Sequence, residues 1–365
     1  MYLCECPSIS TPPVPLQTFK ATQNSCGEKV RAALNSEWSK SAVDILREEI
    51  DNLDKDQHKT FFDSVAALMS NQVRELATKS IDNYVEFFKR FQKDKYPYPE
   101  EIISREYDPD SEFEQTFITL KLQIRDNEIT LVDPLPTVRE DLVKIVSSMI
   151  DKITQIPRAD TQINPSDKTH LWYISPDDEM IKNAEHTIKQ IIDENLQATA
   201  KCVNVYDEFL FLLQEEQRID TFLNKKPYKN EEFVKEIEKF KNTIAKIRKN
   251  SPFEIRMSMF LVECSDLNAD LVKICKDMIT KILKQTETFI YSDTAMSLQN
   301  VIRAMNTEFT KKADTSADLV SNEKYLEDSK TQKRNEIISQ YKDLVDWLVM
   351  FHKHPYIDVS EDSIK

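Results

Sequence analysis

PDDEMIKNAEHTIKQIIDENLQATAKCVNVYDEFLFLLQEEQRIDTF, residues 176–222, contains no glycine and, after Pro176, no further proline. Its apolar positions Ile181, Ala184, Ile188, Ile191, Leu196, Cys202, Val205, Phe209, Leu212 and Ile219 recur at three, four or sums of these, the repeat of an amphipathic helix. At the α-helical rise this stretch makes a rod about 70 Å long. Asp177, Asp178 and Glu179 follow Pro176 directly. Acids in a first turn oppose the positive end of the helix dipole, so these three have a structural explanation without catalysis.

Outward from this rod the helical reading continues. Downstream, a helix runs from Asn230 to Lys249, and Ser251-Pro252 stops it. Ile255, Met257, Met259 and Leu261 then alternate as a short strand over about 254–262. Asp266 caps a further long helix carrying Leu271, Ile274, Cys275, Met278, Ile282 and Phe289 that reaches toward Lys312. Helices over about Ser316–Asp328 and Gln332–Lys353 close the chain. Upstream, the pattern is helical from about Glu28, and Gln57–Lys93 places Phe61, Val65, Leu68, Met69, Gln72, Leu76, Ser80, Tyr84, Phe87 and Phe91 on one stripe before Pro97 and Pro99 end it. Ile118, Leu120, Leu122 and Ile124 alternate, Asp126-Asn127 supplies a turn, and Ile129 and Leu131 return: a β-hairpin over about 117–132. A helix from Thr137 toward Pro157 follows, and then a loop with Pro165, Trp172 and Pro176.

Composition narrows the chemistry. Of 365 residues one is glycine, Gly27, where average usage supplies roughly two dozen. Phosphate-binding loops, dinucleotide fingerprints and nucleophile elbows each need at least two glycines, so none is built here. A formal charge of −14 opposes docking on nucleic acid or acidic lipid. The longest uninterrupted apolar runs, such as Phe209–Leu213 and Trp347–Phe351, fall far short of the roughly 20 residues a membrane span needs. Six scattered cysteines (Cys4, Cys6, Cys26, Cys202, Cys264, Cys275) and a start without a basic-then-apolar leader point to a reducing compartment. Cys4-x-Cys6 is a candidate for metal or acyl attachment, but no second Cys/His pair at ligand spacing lies nearby.

The expected fold is therefore mainly α, an elongated array of stacked helical bundles with one hairpin and one short strand. The expected divisions are a flexible arm over 1–24, rich in Pro, Ser and Thr, a helical subdomain with the hairpin over 25–160, a long-helix bundle over 176–312, and a helical segment over 313–365.

Three segments together resemble the N-terminal tail of axonemal dynein heavy chains, most closely those of single-headed inner arms. The first is Thr60-Phe61-Phe62-Asp63-Ser64-Val65-Ala66-Ala67-Leu68-Met69-Ser70, the hairpin, then Val132-Asp133-Pro134-Leu135-Pro136 and Ile156-Pro157-Arg158-Ala159. The second is Tyr228-Lys229-Asn230-Glu231-Glu232-Phe233 with Glu236-Ile237, then Phe253 through Cys264 and the helix with Leu271-Val272-Lys273. The third is Ala313 through Val320, Lys324-Tyr325-Leu326, Trp347 through Phe351, and Asp358 through Asp362. Ser258 stands where many members of that family carry glycine.

The resemblance implies a tail without its linker and nucleotide-binding ring, either a fragment or a tail-only protein, in the cytoskeleton of the cytoplasm and ciliary or flagellar axoneme. It implies an anchor for the inner arm on the doublet microtubule and, as partners, actin with an inner-arm light chain or centrin, docking proteins, and the rest of the heavy chain. No cofactor is implied, and no nucleic acid or membrane. The reading from another class is a free-standing helical adaptor of the cytoskeletal or tethering type; a more remote one is an all-α enzyme built from dispersed carboxylates.

Candidate residues divide between chemistry and surface. His58, His170, His186, His352 and His354 are the candidates for acid/base or metal work; His352-x-His354 lies at a helix end before Pro355 with no cysteine nearby and reads as a solvated terminus rather than a ligand pair, and His186 reads as helix surface. Adjacent acids such as Glu48-Glu49 and Glu215-Glu216 diverge by about 100° on a helix and belong to helix starts or solvent. Trp172-Tyr173, in a loop, is a candidate interface anchor. Between Lys225 and Lys249, nine basic residues oppose four glutamates; Lys225, Lys226, Lys229, Lys246, Arg248 and Lys249 form either a solvated helix face or a partner patch. The helices over 176–312 are the expected accessory-chain surface.

Overall fold

A computed structural model describes residues 2–8, 11–92, 116–163, 169–172, 174–175, 177–225, 229–310, 314–328 and 334–353. The fold is mainly α with one small sheet. The chain divides into two compact units, Met1–Arg125, Ile129–Asp207 and Pro252–Asp266 in one, and Asp126–Glu128, Glu208–Ser251 and Leu267–Lys365 in the other.

In the first unit the helices are α1 (Leu16–Ala33), α2 (Ser39–Asp51), α3 (Lys55–Lys89), α4 (Leu135–Ile153), α5 (Ala159–Ile163) and α6 (Glu179–Ala200). α1 and α6 pack on α4, and α3 packs on α4 and α6. α3 opens with a capping box, the Asp54 backbone N–H donating to Gln57 Oε1 at 3.4 Å. Its buried line is Met69, Val73, Ala77, Ile81, Tyr84 and Phe88. Leu68, placed on the inner stripe by its spacing, is 66% exposed, so the true inner face is rotated by roughly a quarter turn from the expected one. An aromatic cluster fills the centre: Phe117 lies 4.9 Å from Phe87, 5.5 Å from Phe91 and 5.3 Å from Phe19, ring centre to ring centre.

The flexible arm expected over residues 1–24 is corrected. Leu3 and Cys4 are buried, strand β1 (Val14–Pro15) pairs in parallel with β2 (Ile118–Arg125), and α1 begins at Leu16, itself fully buried. Apolar anchors at Leu3, Leu16 and Phe19 hold a segment whose Pro and Ser content alone reads as mobile. Gly27 lies inside α1 rather than in a turn. A Cβ there would sit 2.8 Å from Lys152 Cγ on α4, so this glycine permits close helix packing.

The expected hairpin is present as β2 and β3 (Glu128–Leu131), with Asp126 and Asn127 at φ 53° and 62° as a two-residue turn of type I′ requires. The single strand expected near 254–262 is instead a second hairpin, β4 (Glu254–Met257) antiparallel to β5 (Phe260–Glu263). Ser258 holds φ 53° at its turn, the left-handed region glycine enters freely. β5 pairs in parallel with β2, Ile118 opposite Phe260, so all five strands form one sheet with β1-β2-β5-β4 as its path and β3 also on β2.

The second unit contains α7 (Glu215–Leu223), α8 (Asn230–Asn250), most of α9 (Ser265–Thr288), α10 (Ala295–Phe309), α11 (Ser316–Asp328) and α12 (Arg334–Lys353). Helical winding is unbroken from α6 to α7 through a tighter 3₁₀ stretch, Lys201–Gln214, and from α9 to α10 through a π turn, Phe289–Thr294. Phe233 on α8 packs 5.0 Å from Phe222 and 5.2 Å from Trp347 on α12.

Candidate functional site

Trp172 is the best-formed interaction candidate. Its indole is 77% exposed, between the buried Leu171 and Ile174. The loop is pinned: the Leu171 N–H donates to Ile156 O at 2.8 Å, the Trp172 N–H to Ser70 Oγ at 3.0 Å, and the Arg158 N–H to Thr169 O at 3.1 Å. A large amphipathic ring on a fixed backbone loses little conformational entropy when covered, the property of an interface anchor. Tyr173, its sequence partner, lies outside the described residues.

The platform beneath joins the two ends of the first segment of the resemblance. The Arg158 guanidinium is ion-paired to Asp63 at 2.8 Å and to Asp160 at 3.3 Å. Partial burial opposes its charge, but the Asp63 and Asp160 carboxylates more than offset this and hold its pKa above the ordinary value. Ile156 and Ala159 on either side are buried. Thus Asp63 of the Thr60–Ser70 segment and Arg158 of Ile156-Pro157-Arg158-Ala159 meet across a sequence separation of 95.

The basic stretch is divided. Lys225, Lys246, Arg248 and Lys249 stand exposed, and Lys226 lies outside the described residues. Arg248 and Lys249 occupy the last turn of α8, and Glu231 and Glu232 its first. Each sign sits at the helix end it stabilises, which accounts for much of the charge pattern. Lys229 pairs with Glu232 at 3.8 Å. Lys239 is drawn inward: its ammonium lies 3.0 Å from Glu215 Oε1 and 4.8 Å from the centre of the Phe211 ring.

Glu215, grouped by its neighbour with solvated helix starts, does begin α7, yet it is only 5% exposed. It accepts from Lys239 and from Arg218 Nε at 2.7 Å, and Arg218 also grips Glu236 at 2.9 Å through Nη1. Burial alone would raise the Glu215 carboxyl, but Arg218 and Lys239 hold it below the usual carboxylate value. This buried network carried no signal in the sequence beyond i,i+3 spacing of Glu215 and Arg218.

Among the described residues no group of three or more His, Cys, Asp or Glu is placed to hold a metal ion. The His58 ring lies 3.3 Å from Ile50 O, and His170 and His186 are exposed; His354 lies outside the described residues. Asp178 caps α6, accepting from the Met180 N–H at 3.0 Å, and Asp177 pairs with Lys182 at 3.1 Å. No helix among the described residues is long and apolar enough to cross a membrane.

No family model matches the sequence. Among curated proteins, the chain is 22% identical over 332 residues to dynein axonemal heavy chain 12 of Homo sapiens, which covers 89% of this chain and 10% of that protein. It is 24% identical over 339 residues to dynein axonemal heavy chain 3 of Mus musculus, covering 84% of this chain and 8% of that protein. The chain thus spans about a tenth or less of the length of these relatives. Similarity to axonemal dynein heavy chains extends over most of the chain.

Proposed function

We propose that this chain is the tail portion of an axonemal dynein heavy chain of the single-headed inner-arm type. In this reading it anchors the arm to the doublet microtubule and holds accessory chains, actin with an inner-arm light chain or centrin, while the chain itself catalyses nothing. The observation that carries it is the reach of the similarity, 84–89% of the chain, rather than one short motif. The contact of Phe233 with Trp347 supports it further, since it joins the second and third segments of the resemblance, while the ion pair between Asp63 and Arg158 ties together the two ends of the first. A helical scaffold without a glycine-built phosphate loop suits holding better than hydrolysis. Trp172 is the anchor for one of the held chains.

Recovery of partners from ciliary extract on the immobilised chain tests this. Actin and a light chain or centrin are expected, with a yield several-fold lower for Trp172→Ala, a loss of the size seen for interface anchors. Turnover of ATP by the purified chain, or the same partners recovered from cells without cilia and none from cilia, would overturn the reading.

A further inference from the structure

The N-terminal segment brings two thiols to the seam between α1 and α3. The Cys4 sulfur lies 3.4 Å from Ser80 O, while the Asn83 side-chain amide donates to Cys6 Sγ at 3.3 Å. Ser80 and Asn83 lie three apart on α3, so both sulfurs rest on one strip of that helix. Glu5 between them is clamped on both sides, its N–H donating to Gln23 Oε1 at 2.9 Å and its carbonyl accepting from Gln23 Nε2 at 2.7 Å. Cys4 is 4% exposed, whereas Cys6 is half-buried.

We propose that Cys6 is a peroxide-sensitive modification site of this chain, with Cys4 as the neighbouring thiol that closes the disulfide. The chemistry balances with hydrogen peroxide as oxidant. The Cys6 thiolate attacks one peroxide oxygen, the O–O bond breaks, hydroxide leaves, and Cys6 becomes a sulfenic acid. The Cys4 sulfur then attacks Cys6 Sγ, the S–O bond breaks, the Cys4 proton goes to the departing oxygen, and water is released. Two residues span at most about 7 Å of chain, and a disulfide needs Cα atoms about 4.4–6.8 Å apart. A modest bend at Glu5 therefore suffices.

The six cysteines differ in the way this site requires. Hydrogen bonding from Cys4 is the main influence that lowers the Cys6 thiol below its ordinary value; burial opposes it, and the Arg90 charge adds to the lowering. The same bond, with burial, pushes Cys4 up. Burial raises Cys202 and Cys275 to about 12 and Cys264 to about 11. Cys26, also half-buried, is raised as well, first by burial. The thiolate is the nucleophile, so Cys6 combines access and ionisation where the others lack one or both.

Limiting iodoacetamide on the whole chain at neutral pH, followed by peptide mass spectrometry, is expected to label Cys6 first, about tenfold ahead of Cys26. Dilute peroxide is expected to give a reducible Cys4–Cys6 disulfide. In Cys4→Ser, dimedone should instead trap a persistent sulfenic acid on Cys6. Asn83→Ala should move the midpoint of the Cys6 alkylation pH profile upward and leave that of Cys26 in place, a response that loosened packing alone would not give. Equal labelling of Cys6 and Cys26, or a disulfide joining Cys26 instead, in chains with unchanged circular dichroism, would overturn the proposal.

Discussion

Ser258 holds a left-handed backbone, φ 53°, at the two-residue turn between β4 and β5, and its hydroxyl is buried without a hydrogen-bond partner. The conformation costs a residue with a Cβ about 1 kcal/mol, and an unpaired buried hydroxyl costs about 1–3 kcal/mol. Glycine removes both and loses roughly 0.5–1 kcal/mol through the freedom of the unfolded chain. Ser258→Gly is therefore expected to stabilise by about 1 kcal/mol, read as a higher urea midpoint, whereas Ser258→Val should destabilise. Glu215 works in the opposite sense. Its folded carboxyl lies below the ordinary value of 4.5, so its contribution is present above 4.5 and is lost as pH falls through the lowered folded value. Glu215→Gln leaves Arg218 and Lys239 short of a partner. Because those two are partly exposed, the expected loss is about 2 kcal/mol rather than the full cost of a broken buried pair, together with a shallower fall of stability with acid below pH 4.5. Ser258 is marked in the sequence only by the glycine that many members of the resembled family carry there, and Glu215 reads as one more surface acid until Lys239 and Arg218 close over it.

Local periodicity reported the helices and the first hairpin well, because spacing and the Asp126-Asn127 turn act within a few residues. It failed where the choice depended on a distant partner. Leu68 and Met69 are both apolar neighbours, and which of them turns inward on α3 is decided by α4 and α6, not by α3. The N-terminal arm failed for the same reason, since β1 and Leu16 become ordered only against β2 and the core. Gly27 belongs to this scale too, for it sets the approach of α1 to α4. Alanine there gains up to about 1 kcal/mol of helix propensity, but its Cβ would meet Lys152 Cγ at 2.8 Å, and such overpacking costs about 1–3 kcal/mol. Lys152 is held in place by its ion pair to Glu28 and cannot swing clear at no cost. Gly27→Ala should thus lower stability by about 1 kcal/mol in the wild-type background and raise it by about 0.5–1 kcal/mol in Lys152→Ala, a change of sign that thermal unfolding of the four chains would show.

Across the whole molecule, the sequence conveyed class and charge but not the path of the chain. β2 and β5 lie in parallel with Ile118 opposite Phe260, and no local pattern encodes a partner so far away. The residue ranges of the two units alternate along the sequence, and the first gives way to the second inside Lys201–Gln214, a helical stretch without glycine or proline to mark a boundary. Net charge needs no such register, and it yields a prediction that follows from the proposed anchoring role. The chain carries −14, and the tubulin surface is itself acidic, so bare contact is repulsive and grows more so as salt is lowered and screening recedes. The stretch from Lys225 to Lys249 is locally basic, nine basic residues against four glutamates, and the net charge of the chain nonetheless remains −14. On this argument the purified chain should remain in the supernatant when pure microtubules are sedimented at physiological salt. It should remain there at lower salt as well, where a basic protein would bind more tightly. Axonemal extract should bring it into the pellet by supplying the adaptors that cover the like charges. Direct co-sedimentation that strengthens as salt falls would instead place a tubulin-binding surface on this chain and remove the need for adaptors.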